Sequence, residues 1–220
     1  MQIGHIPLAN RLFVAPMAGV PDRPFCQLGK ALGAGQAGSE MVPSRKDLWN
    51  SLKTSRRANH EGEPGPIAVQ IAGTEAQMMA EAAVFNIERG AQIIDINMGC
   101  PAKKVCNKFA GSALMRDEAL AIAIVEAVVA VATPRGVPVT LKMRTGWCDA
   151  ARNAVAAARG AESPRRALVT RHRRPRAAGH PGPAGDDTHP PGKAPRPQPV
   201  AATPALALPD EPREWADPTT

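Results

Sequence analysis

Two stretches decide how this chain folds: Pro66-Ile67-Ala68-Val69-Gln70-Ile71 and Ile93-Ile94-Asp95-Ile96-Asn97. Each is a short, nearly apolar run. The segment between them, 74–89, carries a helical pattern, with Thr74 placed to cap its start and Gly90 to close its end. Strands apolar almost throughout and separated by helices indicate parallel strands covered on both faces. The alternation continues outward in both directions. Upstream, Leu12-Phe13-Val14-Ala15 reads as a strand stopped by Pro16, and Pro24 to Leu32 as a short helix ended by Gly33. Downstream come a helix over about 112–132 and the strand Val137-Pro138-Val139-Thr140-Leu141-Lys142-Met143. A weaker strand is expected between Gly35 and Val42, where Gln36-Ala37-Gly38-Ser39 is small and polar for a central position. Arg166 to His172 reads as a sixth, preceded by a helix over 153–161.

Repeated strand-helix units fit either an open doubly wound sheet or a (β/α)₈ barrel. The first strand ends in Pro16-Met17-Ala18-Gly19 rather than in a G-x-G-x-x-G turn, which favours the barrel. A full barrel needs around 250 residues. The expected fold is therefore α/β, a partial (β/α)₈ TIM barrel of five or six strands over residues 1–165. Past that point the composition changes. Residues 151–220 devote 39 of 70 positions to Pro, Ala and Arg and contain no Ile, Phe or Met. Such a segment cannot offset an ordering cost of about 1–2 kcal/mol per residue, so 166–220 is expected to be a disordered low-complexity tail.

The formal charge of +7 is shared between the two parts, +3 over 1–150 and +4 over the rest. That excess suits a polyanionic partner such as RNA and is equally common on proteins that bind none. Four cysteines, Cys26, Cys100, Cys106 and Cys148, show neither C-x-x-C pairing nor histidines at zinc spacing, so no disulfide framework and no metal site are expected. The N-terminus has no secretory pattern, and the longest apolar run, Ala119 to Ala132, is too short to span a bilayer. A cytoplasmic monomer without membrane contact is the expectation.

Barrels place their functional groups where strands end at the carboxyl face. That rule selects Pro16, Met17 and Ala18 after the first strand, Gln70, Asn97-Met98-Gly99-Cys100-Pro101, and Lys142-Met143-Arg144. Asp95 and Asn97 lie two apart on one strand, as do Lys142 and Arg144, so each pair shares a face. Two inward cations need an anion. A flavin whose reduced ring is negative near N1 and O2 would supply it; the alternatives are a carboxylate such as Asp95 at the barrel bottom, or solvent exposure past the strand. Gln70 offers a donor and an acceptor suited to an isoalloxazine edge, or to neighbours of its own. Cys100, between a permissive Gly99 and a strand-stopping Pro101, is placed to give a proton to a carbon that has just accepted hydride. The other three cysteines read as structural. Lys103 and Lys104 sit at the rim, as phosphate contacts or as solvated surface, and His5 and His60 are assigned nothing.

These residues together resemble the tRNA-dihydrouridine synthases, most closely the bacterial B type. The resemblance rests on Phe13-Val14-Ala15-Pro16-Met17-Ala18-Gly19-Val20 with Asp22, the Gln70 strand, Asp95-Ile96-Asn97-Met98-Gly99-Cys100-Pro101, and Leu141-Lys142-Met143-Arg144-Thr145-Gly146-Trp147. It covers roughly residues 3–160. It implies an FMN-dependent enzyme that uses NADPH to reduce the 5,6 double bond of particular uridines in tRNA. By the same resemblance Cys100 is the proton donor to C5 and Pro16, Met17 and Ala18 line the flavin. Gln70 and Lys142 hydrogen-bond it, while Asn97 and Arg144 border flavin and uracil. Family members continue with H-x-R-T, N-G-D and G-R segments and a helical tRNA-binding domain. Here only Val169-Thr170-Arg171-His172-Arg173-Arg174 echoes the first, with His172 as a remnant. The expectation is a reading-frame shift near 156–168 and a chain that retains FMN weakly and has little activity. The alternatives are an FMN oxidoreductase acting on a small pyrimidine or enone, and a non-catalytic fragment that binds RNA loosely.

Overall fold

The structure, a computed structural model, describes residues 2–100, 110–144, 146–148, 166–172 and 200–203. A hairpin of β1 (Gln2–Ile3) and β2 (Ile6–Pro7) opens the chain, paired antiparallel with Ile3 opposite Ile6. The main sheet then runs β3 (Phe13–Val14), β4 (Gln36–Gly38), β6 (Ile67–Ala72), β7 (Ile93–Met98), β8 (Val139–Arg144), β9 (Arg166–His172) and β10 (Val200–Thr203), every neighbouring pair parallel. A short β5 (Val42–Pro43) pairs with the end of β6. Spatial order follows chain order throughout, with no reversal of direction. A doubly wound sheet would turn back on itself; this one curls steadily in one sense, as a half-barrel.

Helices α1 (Arg23–Ala31), α2 (Leu52–Arg57), α3 (Ala76–Ile87) and α4 (Glu118–Ala132) connect these strands. Asp22 caps α1 by accepting the Phe25 N–H at 3.0 Å, and Asp117 caps α4 by accepting that of Leu120 at 2.9 Å. Both satisfy donors that a helix start leaves unpaired. The helix expected from Thr74 begins later, with Glu75 at the cap position and no side-chain hydrogen bond there. The helix expected over 112–132 is divided: a 3₁₀ turn, Gly111–Arg116, precedes α4.

Alternation along the strands gives the sheet two different faces. Outward, Val69, Ile71, Ile94, Ile96, Met98, Val139, Leu141 and Met143 form one buried cluster with Met79, Ala82 and Ala83 of α3 and Ile124, Val125 and Val128 of α4. Each fully buried Ile or Leu here contributes about 1.5–3 kcal/mol. Inward, Ala68 and Ile93 join Ile3 and Leu8 in a small apolar floor, so the N-terminal hairpin plugs the bottom of the barrel. Above that floor the inward positions turn polar.

The weak strand expected over 35–42 exists, in two short pieces. Its small residues serve a purpose, since a Cβ on Gly38 would stand 2.6 Å from Cγ of Pro16. The sixth strand lies at Arg166–His172, where one was expected, although these residues also fall within the segment whose composition argued for disorder. Val200–Thr203, within the segment expected to lack order, is a further strand, because its backbone satisfies the open edge of β9 with Val200 opposite Val169. The rest of the expected tail, the helix over 153–161, Pro101, Lys103, Lys104 and Cys106 lie outside the described residues.

Candidate active site

The inward polar positions stack in layers set by strand register. Gln70 lies opposite Asp95, and Asp95 opposite Thr140; one step higher, Asn97 lies opposite Lys142. Parallel pairing brings side chains of one layer within hydrogen-bonding reach, and they use it. Gln70 Nε2 donates to Asp95 Oδ2 at 2.6 Å, and the Thr140 hydroxyl to Asp95 Oδ1 at 2.6 Å. Asn97 Nδ2 donates to Gln70 Oε1 at 2.7 Å and approaches Met41 Sδ at 3.9 Å.

At the top of β7 the chain turns over Asn97. Its Oδ1 accepts the backbone N–H groups of Gly99 at 3.1 Å and Cys100 at 3.0 Å. From the next strand Arg144, 3% exposed, donates Nε–H to the Gly99 carbonyl at 2.8 Å. Ser112 holds the far side, its hydroxyl donating to the Cys100 carbonyl at 3.0 Å. The Gly99–Cys100 turn is thus held from β7, from β8 and from the turn before α4.

The electrostatics follow from burial. Desolvation pushes the Asp95 carboxyl above its usual range, opposed by the Thr140 and Gln70 hydrogen bonds and by the positive charge of Lys142. Desolvation likewise pushes the Lys142 ammonium below its usual value. The charge of Asp95 opposes that shift, Arg144 reinforces it, and the Cys100 sulfur lies within electrostatic reach. Asn97 lies opposite Lys142 and holds the Cys100 backbone, so Cys100 and Lys142 stand at one end of the sheet.

The first loop forms the lip. Pro16 packs against Gly38, while Met17 is 43% exposed and Ala18 is exposed. Glu40 holds this loop down: its Oε1 accepts the Gly19 N–H at 2.9 Å, and Arg57 clamps the carboxylate, Nε to Oε2 at 2.8 Å. Gly19 needs its φ of +81°, where a side chain would be strained.

Among the described residues, Pro16, Met17, Ala18, Asn97, Cys100, Lys142 and Arg144 lie at or beyond the carboxyl ends of their strands, with Gln70 one layer below Asn97 and Lys142. The Gln70 amide is paired with protein on both sides, and one N–H and one lone pair remain for a ligand. Thr140, Met41, Ser112 and the Glu40–Arg57 pair were missed. Only Thr140 carried a signal, two residues before Lys142 on the same face. Cys26 is buried, in keeping with a structural role. His60, assigned nothing, proves buried, with Nδ1 3.2 Å from Glu63 in a cluster that includes Lys30. Among the described residues no His, Cys, Asp and Glu cluster suits a metal ion, and no helix is long and apolar enough to cross a membrane.

The family described as Dihydrouridine synthase (Dus) matches residues 13–186. The chain belongs to the dihydrouridine synthase family. Similar curated proteins are named tRNA-dihydrouridine synthase B. That of Pseudomonas putida is 56% identical over 86% of this chain and 55% of its own length. That of Xanthomonas axonopodis is 60% identical over 68% of this chain and 44% of its own. That of Vibrio cholerae is 48% identical over 97% of this chain and 65% of its own. These names agree with the bacterial B type suggested by the sequence. The chain spans roughly half the length of these synthases, and the matched region passes the boundary at 165 drawn from composition. Among solved structures, histamine dehydrogenase from Rhizobium sp. 4-9 is similar in fold, with a TM-score of 0.50 at 11% identity over 81% of this chain and 39% of that one.

Proposed function

We propose that this dihydrouridine synthase chain carries the catalytic pocket of a tRNA-dihydrouridine synthase, a cytoplasmic, FMN-dependent and NADPH-driven enzyme that reduces the 5,6 double bond of specific uridines in tRNA. The observation that supports this reading best is the convergence of Asn97, Cys100, Lys142 and Arg144 at one inward strand end, beside an apolar lip of Pro16, Met17 and Ala18.

The donor set suits a flavin ring. Lys142 is a half-buried ammonium whose charge burial disfavours and Asp95 supports, and an anionic ring edge brought beside it would support that charge further. Gln70 adds its spare amide N–H and lone pair for adjacent C=O and N–H groups. A flavin bound there would supply the hydride that C6 of the uracil accepts. The Cys100 thiol gives its proton to C5, completing the reduction, and the resulting thiolate is reprotonated from water. Asn97 and Arg144 fix the backbone on which that thiol rides and border the ring and the base. Because the target carbon lies inside folded RNA, the uridine is extruded into the pocket, with basic side chains holding the phosphates.

The test is expression of the encoding gene in a bacterial strain lacking its own synthase, with dihydrouridine in purified tRNA read by mass spectrometry. A low but measurable level of dihydrouridine from the wild-type gene, as suits a chain that spans about half the length of its relatives, and none with Cys100→Ala is expected. Reduction of a free pyrimidine with no product in tRNA would overturn the assignment in favour of a small-molecule reductase.

A further inference from the structure

From the Gly99–Cys100 turn down to Asp95 the hydrogen bonds run one way. The backbone N–H groups of Gly99 and Cys100 can only donate, and both meet Asn97 Oδ1. Asn97 must then turn its Nδ2 toward Gln70 Oε1, and Gln70 its Nε2 toward Asp95 Oδ2. Asp95 ends the series as an acceptor. Its Oδ1 accepts from the Thr140 hydroxyl, 2.6 Å away; were the carboxyl protonated, the proton would sit on Oδ1 with the hydroxyl turned to accept it, and Oδ2 would remain an acceptor. A carboxamide rotated by half a turn would set N–H against N–H or oxygen against oxygen in a site where Gln70 and Asn97 are 2% and 4% exposed.

We propose that Asp95 is a positioning residue for Cys100: by accepting the Gln70 amide it locks both carboxamides in the sense that lets Asn97 hold the Cys100 backbone. The inference rests on the reading of Cys100 as the proton donor, for which a fixed thiol direction matters. Asp95 acts through Gln70 and Asn97. Asparagine at this position reproduces the pattern, with its oxygen toward Gln70 and its amide toward Thr140; valine offers no acceptor at all.

The test is the rate of iodoacetamide alkylation at Cys100, measured on the whole chain without flavin or RNA and read peptide by peptide. Trypsin cuts at Lys103 and Lys104 separate Cys100 from Cys106. Asp95→Val and Gln70→Met are each expected to change the Cys100 rate by ~10-fold, with the double variant no further from wild type than either single change. Asp95→Asn is expected to stay within ~3-fold of wild type, the signature of an acceptor rather than a charge. Cys26 is the control for global opening, since burial pushes its thiol up to about 11 and keeps it unreactive while the fold is intact. If Asp95→Val exposes Cys26, the Gln70→Met and Asp95→Asn variants carry the test. Wild-type reactivity at Cys100 in a folded Asp95→Val or Gln70→Met chain overturns the proposal, as does an Asp95→Asn rate matching Asp95→Val. A failure to bind flavin would sink the function proposed above without touching this result.

Discussion

Asn97 Oδ1 and the backbone N–H of Cys100 lie 3.0 Å apart, so the last inward side chain of β7 reaches over its own strand end to hold the residue that bears the thiol. With the Gly99 N–H on the same oxygen, the turn is set by one carboxamide.

Asn97→Ala leaves both of those N–H groups without their acceptor in a buried turn. The expected loss is about 2 kcal/mol or more, read as a lower urea midpoint with the slope of the transition unchanged. A midpoint equal to wild type would mean that the turn is held by Arg144 and Ser112 alone.

Asp95 makes stability depend on pH with a definite sign. Its folded-state pKa is raised. As pH climbs above about 4, where an unperturbed Asp ionises, the unfolded chain gives up a proton that the folded chain keeps. The contribution of this group is complete below that point and is lost as pH rises through the folded-state value. Asp95→Asn removes the effect. The stability of the variant relative to wild type is expected to increase steadily over that window in urea titrations from pH 4 upward, and parallel curves would contradict the assignment.

Glu40 and Arg57 are the fastening of the first loop, with side chains 14% and 16% exposed. Arg57→Ala strips a charged partner from Glu40 and is expected to cost about 1.5–3 kcal/mol, toward the lower end at this partial exposure. Hydrogen exchange at the Gly19 N–H should rise in Arg57→Ala and in Glu40→Ala alike, and no further in the double variant. Independent, additive effects would show that the two residues do not act as one clamp.

Gly38→Ala tests the contact between the second strand and the lip. Its new Cβ meets Pro16 at 2.6 Å and 2.9 Å, so Pro16 must shift. Overpacking of this kind costs about 1–3 kcal/mol, and thermal denaturation should show it. An unchanged midpoint would mean that the first loop moves aside freely.

The sequence made the scaffold legible where outward apolar positions repeat, as in Ile67–Ala72 and Ile93–Met98, because burial against α3 and α4 demands those residues. The inward grading was legible too: Ile93, Asp95 and Asn97 alternate from the floor upward, and Lys142 and Arg144 declare a shared face. What stayed hidden was set by contacts distant in sequence. Glu40 and Arg57 are 17 residues apart in segments with no periodicity, and Leu52–Arg57 is a six-residue helix too short to show a pattern. Val200–Thr203 lies in a stretch whose composition argues against order, and only the open edge of β9 makes it a strand.

If the strand ends carrying Lys142 and Cys100 form one flavin-ring pocket, riboflavin, which has the ring system without the phosphate, should bind there. Fluorescence titration is expected to give saturable quenching by the wild-type chain, at least ~10-fold weaker in Lys142→Met, where the half-buried ammonium is lost, and unchanged in Cys100→Ala. No saturable quenching, or equal affinity in wild type and Lys142→Met, would contradict it.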